Sequence, residues 1–227
     1  MRKLYIANRN YSSWSLRGWL CAKLAGAPFD EVLVSLAGQV PNPAYFAFSP
    51  NGMVPCLHDG DVVVWDSLAI AEYLAERHTG MWPADAKARA FARAMCAEMH
   101  AGFRDLRNDM TMCIRERVDV RPWSPGLQRD IGRVTALWSE ARQRFGAGGD
   151  YLFGAFSIAD CFFAPVAFRF QTYLAAPVGE EGAYMARLLA HPLVREWEQA
   201  ARAETAVIEP DEPRVIYRDK LMAAGRL

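Results

Sequence analysis

The chain has 227 residues, 52% of them hydrophobic, and it carries 26 basic and 26 acidic residues. This composition is typical of a packed globular protein with room for one or two domains. A formal net charge of zero argues against a nucleic-acid-binding protein, which would carry a basic excess. No apolar run approaches the roughly 18 residues of a membrane helix, and the first residues lack the apolar core of a signal peptide. We therefore expect a soluble, cytoplasmic protein with neither a nucleic acid nor a membrane as partner.

The first 78 residues alternate short strands and helices. Strands are predicted over 3–7, 31–35, 56–58 and 62–65, and the last two form a hairpin around Asp59-Gly60. Helical spacing predicts helices over 13–25 and 67–78, whereas 42–48 is irregular or a short helix. The order β-α-β-α-β-β-α predicts a thioredoxin-like α/β domain over residues 1–78.

Residues 79–85 contain glycine and proline and break the pattern, as expected of a linker between domains. After them no strand pattern remains. Helices are predicted over 86–118, 127–145, 157–174, 181–190 and 192–203, and the tail from 205 is expected to be extended. The segment 157–174 is apolar almost all round, which predicts a buried central helix. The second domain, residues 86–227, is therefore expected to be all-helical.

Five cysteines and four histidines are scattered along the chain without a CxxC motif. The odd number of cysteines and their wide spacing argue against both a disulfide scaffold and a zinc site. Free cysteine is usually a small buried hydrophobe. We therefore expect structural roles for the cysteines and no metal.

Two short motifs in the first domain predict a ligand site. Val54-Pro55 opens a strand, where a proline has no amide hydrogen for the ladder and is tolerated as a special turn, often with a cis bond. Such a turn leaves the backbone of Val54 free to pair with an external group. Asp66-Ser67 begins a helix whose unpaired amides suit a carboxylate. Together the motifs predict a site for a peptide-like ligand with an acidic end.

The segment Tyr11-Ser-Ser-Trp-Ser-Leu-Arg17 places three serines where the first strand meets the first helix. Serine is a preferred N-cap residue, so these hydroxyls are explained by helix capping alone. Alternatively, one hydroxyl donates to a bound thiolate. The pKa of a free thiol is near 8.5 and falls at a helix N-terminus, where a hydroxyl and the helix dipole favour the anion.

These motifs resemble those of the glutathione S-transferase family, and the resemblance covers nearly the whole chain. Val54-Pro55 looks like the family's cis-proline turn, and Asp66-Ser67 looks like its acid–serine pair for the γ-glutamyl end of glutathione. The segment from Ser157 to Asp160 looks like the capping box of the helical domain. The stretch from Tyr11 to Arg17 is similar to the Ser-Ser-Cys-x-x-Arg entrance of the zeta class.

The resemblance implies roles for particular residues. Ser12 aligns best with the zeta-class catalytic serine, Ser13 is the next candidate, and Tyr11 is a rival hydroxyl. Trp14 stands where the zeta class has cysteine, which counts against mixed-disulfide chemistry. The residues implied in glutathione binding are Val54, Pro55, Asp66, Ser67, Arg17 and Gln39.

The implied activity is that of a cytosolic glutathione transferase, which activates the thiol of glutathione as a thiolate for attack on a small electrophile. Glutathione is the co-substrate, no metal is needed, and the expected assembly is a homodimer. The first alternative is a zeta-like cis-trans isomerase of the maleylacetoacetate isomerase type. The second is a non-catalytic, transferase-like interaction module.

Four arginines recur on the predicted helix 86–118, with most of them expected on a solvated face: Arg104, Arg107, Arg115 and Arg117. One or two of them could instead face the cleft between the domains and favour an acidic second substrate.

Overall fold

The computed structural model describes residues 2–36 and 40–226. Its one four-stranded sheet has the order β2-β1-β3-β4. The strands are β1 (Arg2–Ala7), β2 (Phe29–Val34), β3 (Cys56–Asp59) and β4 (Val62–Trp65). β1 pairs in parallel with β2 and antiparallel with β3, which in turn pairs antiparallel with β4. This mixed sheet confirms the predicted thioredoxin-like fold.

Two helices accompany the sheet: α1 (Ser13–Leu24) and α2 (Ser67–Ala75). A parallel strand pair needs a crossover connection, and α1 provides it between β1 and β2. Between β2 and β3 the chain forms a 3-10 helix over Pro43–Ala47 rather than an α-helix. Pro43 stands at the first position of this 3-10 helix, where a missing amide hydrogen costs no helical hydrogen bond.

The α-helices that follow in the described chain are α3 (Ala86–Ala101), α4 (Arg104–Asp109), α5 (Pro125–Phe145), α6 (Ile158–Thr172), α7 (Gly179–Ala190), α8 (Pro192–Ala203), α9 (Pro213–Ile216) and α10 (Arg218–Ala223). No α-helix or strand is assigned between α2 and α3, where the linker over 79–85 was predicted. Among residues 2–36 and 40–226, no helix has both the length and the apolar character that crossing a bilayer requires.

The single helix predicted over 86–118 is wrong. It ends at Ala101, because Gly102 is extended and Phe103 takes a left-handed conformation with φ 58°. The side chain of Arg107 turns back and donates to the carbonyls of Gly102 and Met99. It thereby satisfies acceptors that a helix end leaves unpaired.

The extended tail expected from residue 205 is also wrong in part. A 3-10 helix over Glu209–Asp211 and the helices α9 and α10 lie within it. These short elements are held by contacts with distant residues: the hydroxyl of Tyr217 donates to the carbonyl of Asp109 at 2.6 Å. Short helices depend on such packing rather than on local propensity.

The core of the helical region is built around α6, as predicted. Every residue of this helix except Gln171 is buried, and Trp138 of α5 and Tyr184 of α7 pack against it. α1 also packs on α6, so the first turn of α1 lies where the sheet region meets the helical region. Two of the buried residues at this junction, Arg17 and Arg169, are charged.

Candidate active site

Ser12 caps the start of α1. Its Oγ accepts a hydrogen bond from the amide of Ser15 at 3.3 Å, and its hydroxyl donates to Ser15 Oγ at 2.8 Å. Ser15 Oγ also accepts from the amide of Ala7 at 3.0 Å, at the end of β1. The capping role expected of a serine here is therefore realised, and the Ser12 proton points toward Ser15.

Ser13 has a different environment. Its side chain is 5% exposed, and its Oγ accepts a hydrogen bond from Nη2 of Arg169 on α6 at 3.2 Å. Within the described residues, the Ser13 hydroxyl has no acceptor for its own proton. A hydroxyl that accepts from a guanidinium and keeps its proton free is suited to donate to an anion.

Tyr11 is tied to the C-terminal tail. Its hydroxyl donates to the carboxylate of Glu212 and accepts from Nη2 of Arg115 at 2.9 Å. Burial, with a further contribution from the bond to Glu212, raises the pKa of Tyr11. The hydroxyl proton of Tyr11 is therefore already donated to Glu212, and ionisation of the hydroxyl is disfavoured.

The Val54-Pro55 peptide bond is cis, as predicted. Gly18 of α1 lies so close to the turn that an added Cβ would stand 2.8 Å from Pro55 Cγ. Val54 lies outside β3 and forms no backbone hydrogen bond with the rest of the described chain. The turn is therefore packed on α1 and leaves peptide groups available to a ligand.

Asp66 caps α2 with φ 76°, and its Oδ1 accepts from the amide of Leu68 at 2.7 Å. Its Oδ2 lies 3.2 Å from Nε2 of His100 on α3. Burial alone would raise the pKa of Asp66, but the hydrogen bonds from His100 and Leu68 outweigh it and lower that pKa. Asp66 is thus a carboxylate that joins the start of α2 to the helical region.

Ser67 is 1% exposed, and its Oγ has no hydrogen-bond partner among the described residues. Buried hydroxyls are nearly always paired, and an unpaired one costs about 1–3 kcal/mol. The side chain follows Asp66 at the first position of α2. An orphan hydroxyl at a helix start is the kind of group that a bound carboxylate would satisfy.

Arg17 lies in the interface between α1 and α6. Its Nε donates to the carbonyl of Phe162 at 3.2 Å, and its Nη1 has no partner among the described residues. The guanidinium stacks on the rings of Trp14 and Phe162. Burial, together with the nearby Arg107 and Arg169, lowers the pKa of Arg17 well below its usual value. Gln39, the other residue implied at this site, lies outside the described residues.

The sequence did not indicate the surroundings of Trp14. The guanidinium carbons of Arg17 and Arg107 lie 4.8 and 4.7 Å from its ring centroid, and the ring of His100 meets it edge-on at 5.2 Å. Arg169 could have been recognised from the sequence, because it stands in an apolar stretch of α6 and a charge in a buried helix needs a partner. No local pattern distinguished His100.

The five cysteines are all buried and free. Burial raises the pKa of Cys56 to about 11 and that of Cys113 to about 12. In the part of the chain that the structure describes, no three His, Cys, Asp or Glu side chains come together to hold a metal ion. The raised pKa values of Cys56 and Cys113 disfavour their thiolate forms at neutral pH.

Comparison with known proteins gives consistent matches along the chain. The model for the glutathione S-transferase N-terminal domain matches residues 11–77, and that for the C-terminal domain matches residues 124–200. A zeta-class glutathione S-transferase of Euphorbia esula is 32% identical over 171 residues, which cover 72% of this chain and 73% of that protein.

Two solved structures share the fold over nearly their whole length. One is a maleylpyruvate isomerase, described as a bacterial zeta-class transferase, with a TM-score of 0.68 and 26% identity over 90% of this chain and 100% of the other. The other is a glutathione transferase homologue from Burkholderia with bound glutathione, with a TM-score of 0.66 and 24% identity over 89% of this chain and 98% of the other.

Proposed function

This chain belongs to the glutathione S-transferase family, and we propose that it ionises the thiol of glutathione at the start of α1 for attack on a small electrophile. The observation that carries the proposal is the pair of buried hydroxyls, Ser12 and Ser13, at a helix N-terminus. Ser12 is the residue that the zeta-class motif places at the thiol. Ser13 is the residue whose proton has no acceptor in the described chain.

Glutathione would lie between the cis-proline turn and α2. Its backbone would pair with the free peptide groups of Val54, beside Pro55. Its γ-glutamyl carboxylate would accept from the Ser67 hydroxyl, and Asp66 would stand near the amine. Arg17 and Gln39 complete the proposed set. The Burkholderia homologue, which shares the fold, contains glutathione.

In this arrangement catalysis consists of thiolate stabilisation and proximity. The thiol loses its proton to water, and Ser13 keeps its own proton and donates it to the sulfur. Ser12 would do the same only by turning its proton away from Ser15 Oγ. The positive end of α1 adds to the effect. No residue of the protein forms a covalent bond with the substrate.

The test is the ultraviolet absorbance of the thiolate against pH in Ser12→Ala and Ser13→Ala. A hydrogen bond to a charged group contributes about 1.5–3 kcal/mol, so losing one raises the thiol pKa by about 1–2 units. Binding of S-methylglutathione, which has no thiol proton, is expected to change little. If only Tyr11→Phe moved the titration, the site would be misplaced.

An isomerase acting on maleyl acids is the second candidate. It is favoured by the match to a maleylpyruvate isomerase and by the zeta-class relative. There the thiolate would add to a conjugated alkene, allow rotation and then leave. Activity against a panel of haloarenes, peroxides and maleyl acids separates the two candidates. Failure to ionise glutathione at all would instead leave a non-catalytic module.

We also propose that the enzyme is a cytoplasmic homodimer. Five free cysteines, all buried, fit a reducing compartment. A depression of about 590 Å³ on β4 and α2 is lined mainly by apolar residues, among them Val63, Trp65 and Leu68. Such an apolar face is suited to contact with a second copy.

A further inference from the structure

Three guanidinium groups meet at the junction of the two regions. Arg17 comes from α1, Arg107 from α4 and Arg169 from α6, and the first two stack on Trp14. Arg17 and Arg169 are 1% and 7% exposed. Within the described residues, none of the three forms an ion pair with a carboxylate.

An unpaired buried charge is costly, so this cluster is unusual in a stable fold. Burial and the neighbouring Arg107 lower the pKa of Arg169 to about 10, which leaves the group charged at neutral pH. Tyr173 and Asp211 are the other titrating groups that act on it, and both favour its charge. The cluster therefore keeps a positive potential beside the first turn of α1.

Arg169 is held at both ends of its guanidinium. Nη1 donates to the carbonyls of Met110 and Arg107. Nη2 donates to Ser13 Oγ at 3.2 Å. Because one lone pair of Ser13 is occupied by this bond, the hydroxyl proton must turn away from Arg169.

We propose that Arg169 is a positioning residue that orients the Ser13 hydroxyl toward the thiolate of bound glutathione and polarises it. The proposal rests on the function proposed above, and it adds a residue of the helical region to the site. Arg169 and Ser13 both keep their protons, and the thiol proton passes to water.

The experiment is a double-mutant cycle with Ser13→Ala, Arg169→Lys and the double variant. Lysine keeps the charge but not the planar fork that serves Ser13 and the carbonyls together. The readout is the pKa of the bound glutathione thiol, with S-methylglutathione binding as the measure of a folded site. Arg144→Lys, at an exposed position of α5, is the matched control and is expected to leave the thiol pKa unchanged.

If Arg169 acts through Ser13, each single variant raises the thiol pKa by about 1 unit, a tenfold change in ionisation. The double variant then matches Ser13→Ala. Additive shifts, or an unchanged titration in Arg169→Lys, would overturn the proposal. If Arg169→Lys does not fold, Arg169→Gln, which keeps an N–H donor, replaces it in the same cycle.

The failure of this proposal is distinguishable from failure of the proposed function. A normal thiolate titration that responds to Ser12→Ala but not to Ser13→Ala removes Arg169 from the site and leaves the transferase chemistry intact. If the wild-type protein does not bind glutathione, both the proposed role of Arg169 and the proposed transferase function are wrong.

Discussion

At the scale of single residues, the unpaired hydroxyl of Ser67 predicts different effects of a substitution on stability and on glutathione affinity. Ser67→Ala removes a buried hydroxyl that has no partner in the described protein, so the free energy of unfolding should stay the same or rise. The affinity for glutathione should fall about 10- to 100-fold, because a hydrogen bond to a charged group contributes about 1.5–3 kcal/mol. Calorimetric titration with S-methylglutathione and thermal unfolding measure the two quantities.

Ser139→Ala, at a half-buried position of α5 where the hydroxyl accepts from the side chain of Gln143 one turn away, is the control for Ser67→Ala. It should alter neither glutathione affinity nor stability by a measurable amount. A large loss of stability in Ser67→Ala, with affinity unchanged, would mean that the hydroxyl has a structural role and not a ligand-binding one.

At the scale of elements, α1 packs on the cis-proline turn through Gly18. An alanine Cβ there would lie 2.8 Å from Pro55 Cγ, so the helix and the turn must separate. We expect Gly18→Ala to cost about 1–3 kcal/mol of stability and to weaken glutathione binding. Denaturant unfolding and ligand titration test both effects.

The matched control is Gly132→Ala in α5, where nothing lies within 4 Å of the added carbon. Alanine is favoured over glycine in a helix by about 0.5–1 kcal/mol. This variant should therefore be slightly more stable than the wild type and bind glutathione equally well. A loss of stability in Gly18→Ala together with a gain in Gly132→Ala would confirm the close approach of α1 to the turn at Gly18.

The capping box of α6 predicts a pH dependence of stability. Asp160 accepts hydrogen bonds from the amides of Leu152 and Ser157 and from the hydroxyl of Tyr184. Burial nevertheless prevails and raises the pKa of Asp160 to about 6. The pKa of Asp160 is therefore higher in the folded state than in the unfolded state. The resulting contribution of Asp160 to the free energy of unfolding is fully present below about pH 4 and is lost as the pH rises through 6.

The variant Asp160→Asn lacks this titration. The stability of the wild type relative to Asp160→Asn should fall by about 1–1.5 kcal/mol between pH 5 and 7.5. Urea unfolding at several pH values measures the difference. A difference that does not change with pH would show that the Asp160 pKa is not raised.

At the scale of the whole molecule, β4 forms one edge of the sheet and carries an apolar face. Val62, Val63 and Trp65 are 39%, 36% and 43% exposed. Natural proteins usually cover or charge such an edge strand. We therefore expect wild-type protein to be dimeric at micromolar concentration, with this face in the interface.

Val63→Lys should weaken the dimer because it buries a charge in an apolar contact. Val178→Lys, at an exposed position between α6 and α7, introduces the same side chain outside this face and should leave the dimer intact. Light scattering measures the mass of both variants. A monomeric wild type, or equal masses for both variants, would contradict the proposed interface.

The sequence by itself determined the order in which the strands and most helices follow one another along the chain. Period-two and 3.6-residue patterns, prolines and glycines act within a few residues, so they are visible in the chain. The cis bond at Val54-Pro55 and the acid of the capping box at Asp160 were predictable for the same reason. The serines at the start of α1 were also visible, but their separate environments were not.

Tertiary structure decided what depends on distant residues. Ser13 and Arg169 are 156 positions apart, and they meet only because α1 packs on α6. The pairing of Asp66 with His100 likewise joins two regions of the chain. Local patterns carry no information about such contacts, because the side chains are brought together by packing of whole elements.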